Sequence, residues 1–431
     1  MAMKINVFWF RRDLRLEDNH GLFEALKDGH SVLPIFIFDK NILEELPKND
    51  ARVGFIYDTL IKLNEKLQQY GSSILVKHGS PMVVWQELIE RYEINAVFTN
   101  HDYEPYGISR DQEVTELLQQ KGIGFHTFKD QVIFEKAEIT KADGSPYTVY
   151  TPYKNKWREN FSLELRARAY PSEQLLANTL QQEFDAPTLK ALGFTTSGIQ
   201  IPSFKEEFIN GYEEVRDIPH LDKTTKAGLM LRFGNISVRE LVRKASSTNQ
   251  TYLNELIWRE FFMMILFHFP KVVGSSFKAK YDNINWLNNK EHFERWCEGT
   301  TGYPMVDAGM RQLNKTGFMH NRVRMVVASF LCKHLLIDWR WGEAYFAEKL
   351  LDFELSSNNG NWQWAAGCGC DAAPYFRVFN PTIQVKKFDP EMKYIKNWIP
   401  ELNSLSYPEP IVKHSMARDR AIDTYKRALS S

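Results

Sequence analysis

Five short apolar runs, spaced by amphipathic segments, fill the first 130 residues. They read INVFWF, SVLPIFIF, SILVKHG, AVFTN and FHTFKD, and all are rich in residues that favour strands. Between them lie DNHGLFEALKDG, VGFIYDTLIKLNEKLQQYG, MVVWQELIERY and DQEVTELLQQKG, whose apolar positions recur with helical spacing. Asp18 and Asn19 are candidate caps for the first helix, and Gly71 closes the second. Strands alternating with helices predict a doubly wound parallel sheet, because parallel strands need a crossover between them. The predicted α/β domain covers 1–130.

From 131 to 200 the periodicity weakens, and ADGSPYTVYTPYKNKW is rich in turn residues and tyrosine. A long connecting segment is expected there. From 201 to 425 the strand signal is gone: SVRELVRKA, YLNELIWREFFMMILFHF, NRVRMVVASFLCKHLL and GEAYFAEKLL all have helical spacing, so an all-α domain with its own core follows.

The chain has 431 residues, enough for two or three domains, and 43% hydrophobic content excludes wholesale disorder. Its 54 basic and 54 acidic residues cancel, so an anionic partner must be met by a local patch rather than a global field. The apolar start before Arg11 is too brief for a signal-peptide core, and no run reaches the roughly 20 residues that span a bilayer. A cytoplasmic protein without a membrane partner is expected. Four cysteines are too few for a disulfide framework, and Cys368-Gly369-Cys370 lacks a second pair to complete a zinc site. No metal is expected. Aromatic content stands out, with 11 Trp, 18 Tyr and 29 Phe, and most of the tryptophans lie beyond residue 250.

Several residues in the helical half carry chemistry. Glu255 and Trp258 are three apart and share a helix face. Asn321 and Met325 share another, while Arg322 and Arg324 diverge by about 160° on an ideal helix. That divergence leaves one arginine free for phosphate and turns the other toward a carboxylate. Trp362 and Trp364 diverge by about 200° on a helix. Either both pack in the core, or the helix lies between two compartments. Trp339 and Trp341 repeat this spacing, and Trp286 lies upstream. No hydrolase, metalloprotease or Walker motif is present, and the first strand leads into RRDLR rather than a dinucleotide-binding glycine turn.

VFWFRRDLRLEDNHGL, NELIWREF, TGYPMVDAGMRQLNKTGFMHNRVRM and SSNNGNWQWAAGCGCDAAPYFRVFNP together resemble the DNA photolyase and cryptochrome family, in family order, from residue 5 to 425. The closest likeness is to a class I cyclobutane pyrimidine dimer photolyase. The resemblance implies an antenna-type α/β domain, a connecting loop and a helical domain that binds FAD. It also implies light-driven electron transfer to a dimer flipped out of ultraviolet-damaged DNA.

By the same resemblance, Glu255 hydrogen-bonds the damaged bases and Trp258 and Trp364 line the lesion pocket. Asn321, Arg322 and Met325 lie on the substrate side, with Arg322 toward phosphate. Asn358 sits beside flavin N5, and Arg324 and Asp352 form an ion pair near the isoalloxazine. Trp362, Trp339 and Trp286 form an electron relay. Tyr212, Thr224 and Thr225 hold the flavin phosphates, and Lys226, Ala227, Gly228, Tyr252 and Glu354 are further cofactor positions.

The chain departs from the family in TTKAG at 224–228, which lacks the last hydroxyl of the relatives' Thr-Ser-x-Leu-Ser. Tyr106 and Gly107 stand where folate-binding relatives carry Asn-Glu, so the identity of a second, antenna chromophore stays open. Asn-Arg after His320 and the asparagine at 358 favour repair over a blue-light photoreceptor that reduces its flavin without repairing DNA. The enzyme is expected to act as a monomer. Lys154, Lys156, Arg377, Lys386 and Lys387 join Arg322 as candidates for a basic rim.

Overall fold

The computed structural model describes residues 4–430, which divide into two compact units. The first unit comprises 4–138, 159–204 and 226–247, and the second 139–158, 205–225 and 248–430.

In the first unit β1 (Ile5–Phe10), β2 (Val32–Asp39), β3 (Leu75–Gly79), β4 (Ile94–Asn100) and β5 (Gly124–Phe128) form one parallel sheet in the order β3-β2-β1-β4-β5. The five predicted strands are the five observed. Every residue of β1 and β2 is buried, as expected for central strands covered on both faces. Helix His20–Lys27 is capped by Asn19, whose side chain accepts from the Leu22 N–H at 3.2 Å. Asp18, the other candidate cap, instead accepts from the Ser237 hydroxyl at 2.7 Å and from Arg239.

That contact explains why 226–247 belongs to the sheet-containing unit although the helical domain was expected from residue 201. Arg239 from helix Val238–Thr248 and Arg15 both bond the buried Asp130, at 2.9 and 2.6 Å. Burial alone would raise the Asp130 carboxyl, but the two guanidiniums hold it at about 2. Breaking such a buried set would strand an uncompensated charge.

The second unit is helical. Gln250–His268, Pro304–Thr316, Asn321–Ser329, Trp339–Lys349 and Leu355–Ala366 enclose a core of Trp296, Met305, Met310, Val323, Leu331, Trp339 and Trp362. Among the described residues no helix is long and apolar enough to cross a membrane, and no cluster of His, Cys, Asp and Glu is placed to hold a metal ion.

Asn321–Ser329 runs on into a π-helical turn, Phe330–His334, which carries Lys333 into the core at 1% exposure. Its ammonium donates to the Ala366 carbonyl at 2.8 Å and lies 3.6 Å from the centre of the Tyr425 ring. Burial lowers the amine to about 7, against smaller opposing effects of Cys332 and Cys368. Below pH 7 the amine is charged in both folded and unfolded chains and the burial penalty is complete. As pH rises above 7 the folded chain sheds the proton first, so stability rises. Thermal unfolding between pH 7 and 8.5 should show the midpoint climbing, and Lys333→Met should flatten that climb.

Candidate active site

Helix Leu355–Ala366 contains no charged side chain, which suits a helix packed on several sides. Its N-cap, Glu354, is buried, accepts from the Ser357 hydroxyl at 2.7 Å and faces Arg259 at 3.5 Å. Asn358 donates from its amide to the Glu343 carbonyl and carboxylate, both at 3.1 Å. Glu343 was not anticipated. Burial raises its carboxyl, offset in part by that amide. Only its position one turn beyond Trp339, facing inward, could have signalled it.

A solvent-open cavity with about 600 Å³ of empty space lies against this helix. Asn321, Arg324, Met325, Asp352, Glu354, Asn358, Trp362 and Trp364 all contribute to its wall, completed by apolar residues such as Phe346 and Leu350. Arg324 donates to both oxygens of Asp352, at 3.1 and 2.9 Å, and to the Met319 carbonyl at 2.7 Å.

Three expectations change here. Trp362 and Trp364 do not face separate compartments: both line this one cavity, Trp362 buried at its back and Trp364 half-buried. Arg322 is not left free for phosphate. Its guanidinium lies 4.3 Å from the centre of the Phe388 ring and bonds Asp217 at 2.7 and 3.1 Å. Trp258 is outside the cavity lining and stacks on Tyr150, with ring centres 3.5 Å apart and planes 9° apart. Tyrosine from the connecting segment covers the face expected to meet a lesion.

A second group forms around Tyr252. Its hydroxyl bonds Thr225 at 3.0 Å, and its ring meets Tyr212 edge-on at 5.2 Å. The Thr224 hydroxyl is buried without a hydrogen-bond partner, as a residue awaiting a ligand oxygen would be. Lys226, Ala227 and Gly228 fall in the first unit, where Ala227–Phe233 is a short helix. Glu255 accepts from Arg216 at 2.6 Å, while burial pushes its carboxyl above the usual range.

The tryptophans differ in their surroundings. Trp362 meets Trp296 edge-on at 6.1 Å and Phe346 at 4.9 Å. Trp339 is fully buried with the Arg340 guanidinium 4.7 Å from its ring centre, and the partly exposed Trp286 meets Tyr425 at 5.9 Å. Trp296 and Tyr425 are thus aromatic neighbours that sequence spacing did not reveal. Of the basic candidates, Lys387 lies 5.1 Å from the Phe388 ring centre, the same ring that supports Arg322, and Lys386 precedes it on helix Pro381–Phe388. Lys154, on the helix with Lys156, lies over Tyr150, and Arg377 lies over Phe379.

The first unit has its own cavity, with about 800 Å³ of empty space, lined by Trp9, Arg11, Phe38, Asp39, Arg110, Tyr106 and Gly107 among others. The Arg11 and Arg110 guanidiniums each lie 5.0 Å from the Trp9 ring centre, and the Tyr106 hydroxyl donates to Asp39. A Cβ on Gly107 would come within 2.6 Å of the Asp102 carboxyl. The two positions that depart from the folate-type pair therefore lie on the wall of a cavity.

Comparison with known proteins decides the kinship. A family model described as the FAD binding domain of DNA photolyase matches residues 252–406, and one described as DNA photolyase matches 6–172. A deoxyribodipyrimidine photo-lyase of Halobacterium salinarum is 36% identical, over 98% of this chain and 99% of that protein. The chain belongs to the DNA photolyase family. A bacterial class III photolyase from Agrobacterium tumefaciens superposes with a TM-score of 0.88 at 33% identity, covering 100% of this chain and 99% of that one. An archaeal photolyase from Sulfolobus tokodaii, described as holding two FAD molecules, gives 0.84 at 34% identity over 98% and 99% of the two chains. FAD is accordingly the cofactor of the family domain here, and the orphaned Thr224 hydroxyl and the Arg324–Asp352 wall fit it. The class I likeness read from sequence is not the class of the Agrobacterium enzyme.

Trp362 holds its place only because residue 342 is glycine. A Cβ there would lie 2.1 Å from the indole and 2.5 Å from Leu331. Gly342→Ala should cost about 1–3 kcal/mol by overpacking and lower the amount of FAD retained, read by thermal unfolding and the visible spectrum.

Proposed function

We propose that this chain repairs cyclobutane pyrimidine dimers in ultraviolet-damaged DNA by light-driven electron transfer, acting as a monomer in the cytoplasm. The observation that carries the reading is a single cavity wall combining cofactor-type residues, Arg324, Asp352 and Asn358, with substrate-type residues, Asn321, Met325 and Trp364. A photoreceptor that only reduces its flavin has no use for the second set.

FAD, when bound, supplies the light-absorbing electron donor. Thr224, Thr225, Tyr212 and Tyr252 would hold its phosphate side, and Arg324, fixed by Asp352 and the Met319 carbonyl, would present a positive charge to it. Asn358 is oriented by Glu343, so its amide cannot turn without losing two bonds. Trp364 and Met325 offer apolar walls to an extruded pyrimidine dimer, and Glu255 offers a hydrogen-bonding carboxyl. Trp362, Trp339 and Trp286 pass from buried to partly exposed surroundings, as a relay replenishing the donor from solvent requires. Lys387, over the Phe388 ring, and Lys386 supply positive charge for phosphate beside Arg322, whose own charge is engaged by Asp217. The Arg11 and Arg110 cavity is the place for an antenna chromophore.

Irradiated DNA incubated with reduced protein under blue light should regain thymine absorbance. No recovery from a protein whose flavin is still photoreduced would make it a photoreceptor. Glu255→Gln, which keeps a donor and an acceptor, should hold lesion affinity within about threefold, while Glu255→Ala should lose about tenfold. Equal losses would remove Glu255 from lesion binding.

A further inference from the structure

Two adjacent residues of one turn occupy two groups that the repair reading assigns to DNA. Arg216 bonds Glu255 at 2.6 Å, and Asp217 bonds Arg322 at 2.7 Å. The turn follows the short helix Tyr212–Val215 and is closed by Ile218 N–H donating to the Val215 carbonyl at 3.0 Å, before the buried Pro219. The two residues are neighbours in this one turn, so a displacement of its backbone carries both. Arg322 has two further supports besides Asp217: it rests on Phe388 and reaches the Met325 sulfur at 3.5 Å. The carboxylate of Asp217 is 44% exposed, in reach of solvent and of anything approaching Arg322.

Resting on the repair reading, we propose that Asp217 is a specificity-determining residue: a carboxylate that stands in for a DNA phosphate on Arg322 and yields it when a lesion engages Glu255 and releases the neighbouring Arg216. Undamaged duplex offers Glu255 no extruded bases, so Arg216 stays, Asp217 stays, and Arg322 is withheld. A lesion takes the Glu255 carboxyl and frees the turn, and the Arg322 guanidinium passes from the one Asp217 oxygen that accepts two of its N–H groups to a phosphate. With Arg216 gone, the acid at 255 loses the guanidinium that opposes the effect of burial. In a chain whose 54 basic residues are balanced by 54 acidic ones, affinity for phosphate is set by local pairs such as this one.

The test measures binding of dimer-containing and intact duplexes against salt for wild type, Asp217→Asn, Arg322→Ala and the double variant, each checked for FAD absorbance as evidence of folding. Asp217→Asn should bind intact duplex about two- to fivefold more tightly, the range for releasing a partly exposed ion pair. Its salt slope should steepen by roughly one, as for one added phosphate contact. Dimer-containing duplex should gain less, so discrimination falls. In the Arg322→Ala background the Asp217 effect should vanish. Equal gains on both duplexes, no gain, or an effect that persists without Arg322 would overturn the proposal. If Arg322→Ala alone changes neither affinity nor slope, it is the DNA role of Arg322 that fails.

Discussion

Close approach of ring to backbone at two glycines is the constraint on which the helical unit depends. At Gly342 the Trp362 indole fills the space a Cβ would need, and at Gly360 the Phe262 ring does the same, 2.2 Å from the ideal Cβ position. Helices Trp339–Lys349, Gln250–His268 and Leu355–Ala366 can therefore approach so closely only through residues without side chains. The uncharged helix between them sets Asn358, Trp362 and Trp364 in one wall with Asn321, Arg324 and Asp352. Asn358, Trp362 and Trp364 share that cavity because one helix carries all three.

Charge is handled locally. The chain has no net field, yet its arginines sit in specific environments: Arg324 on Asp352, Arg322 on Phe388 and Asp217, Arg216 on Glu255. Each pair keeps a guanidinium aimed while it waits. A partly exposed ion pair contributes only about 0–1 kcal/mol to stability, so what these pairs chiefly do is fix where each guanidinium lies.

Much of this was legible in the sequence. Strand-like runs spaced by amphipathic segments were enough for the parallel sheet, and the family resemblance pointed to Arg324, Asp352, Asn358 and Trp362, which lie on one cavity wall. What spacing could not give was the direction in which side chains turn once other segments arrive. Arg322 was read from its own helix, whereas Asp217 and Phe388 come from elsewhere in the chain. Trp258 was read as a pocket wall because the Tyr150 that stacks on it lies 108 residues away. Residues 226–247 looked like part of the helical domain because helical periodicity says nothing of partners, and the Arg239–Asp130 contact that claims them is long-range. Trp362 and Trp364 stand two apart on their helix, but that spacing does not specify two chambers when one cavity takes lining from both.

The most direct test of one shared cavity with a distinct role for each indole is a comparison of Trp362→Phe with the unaltered protein in two assays on the same preparation. Light-driven reduction of the oxidised bound FAD should slow by orders of magnitude in the variant, while repair by chemically prereduced enzyme should stay close to that of the unaltered protein. Loss of both together, or of neither, would contradict the account.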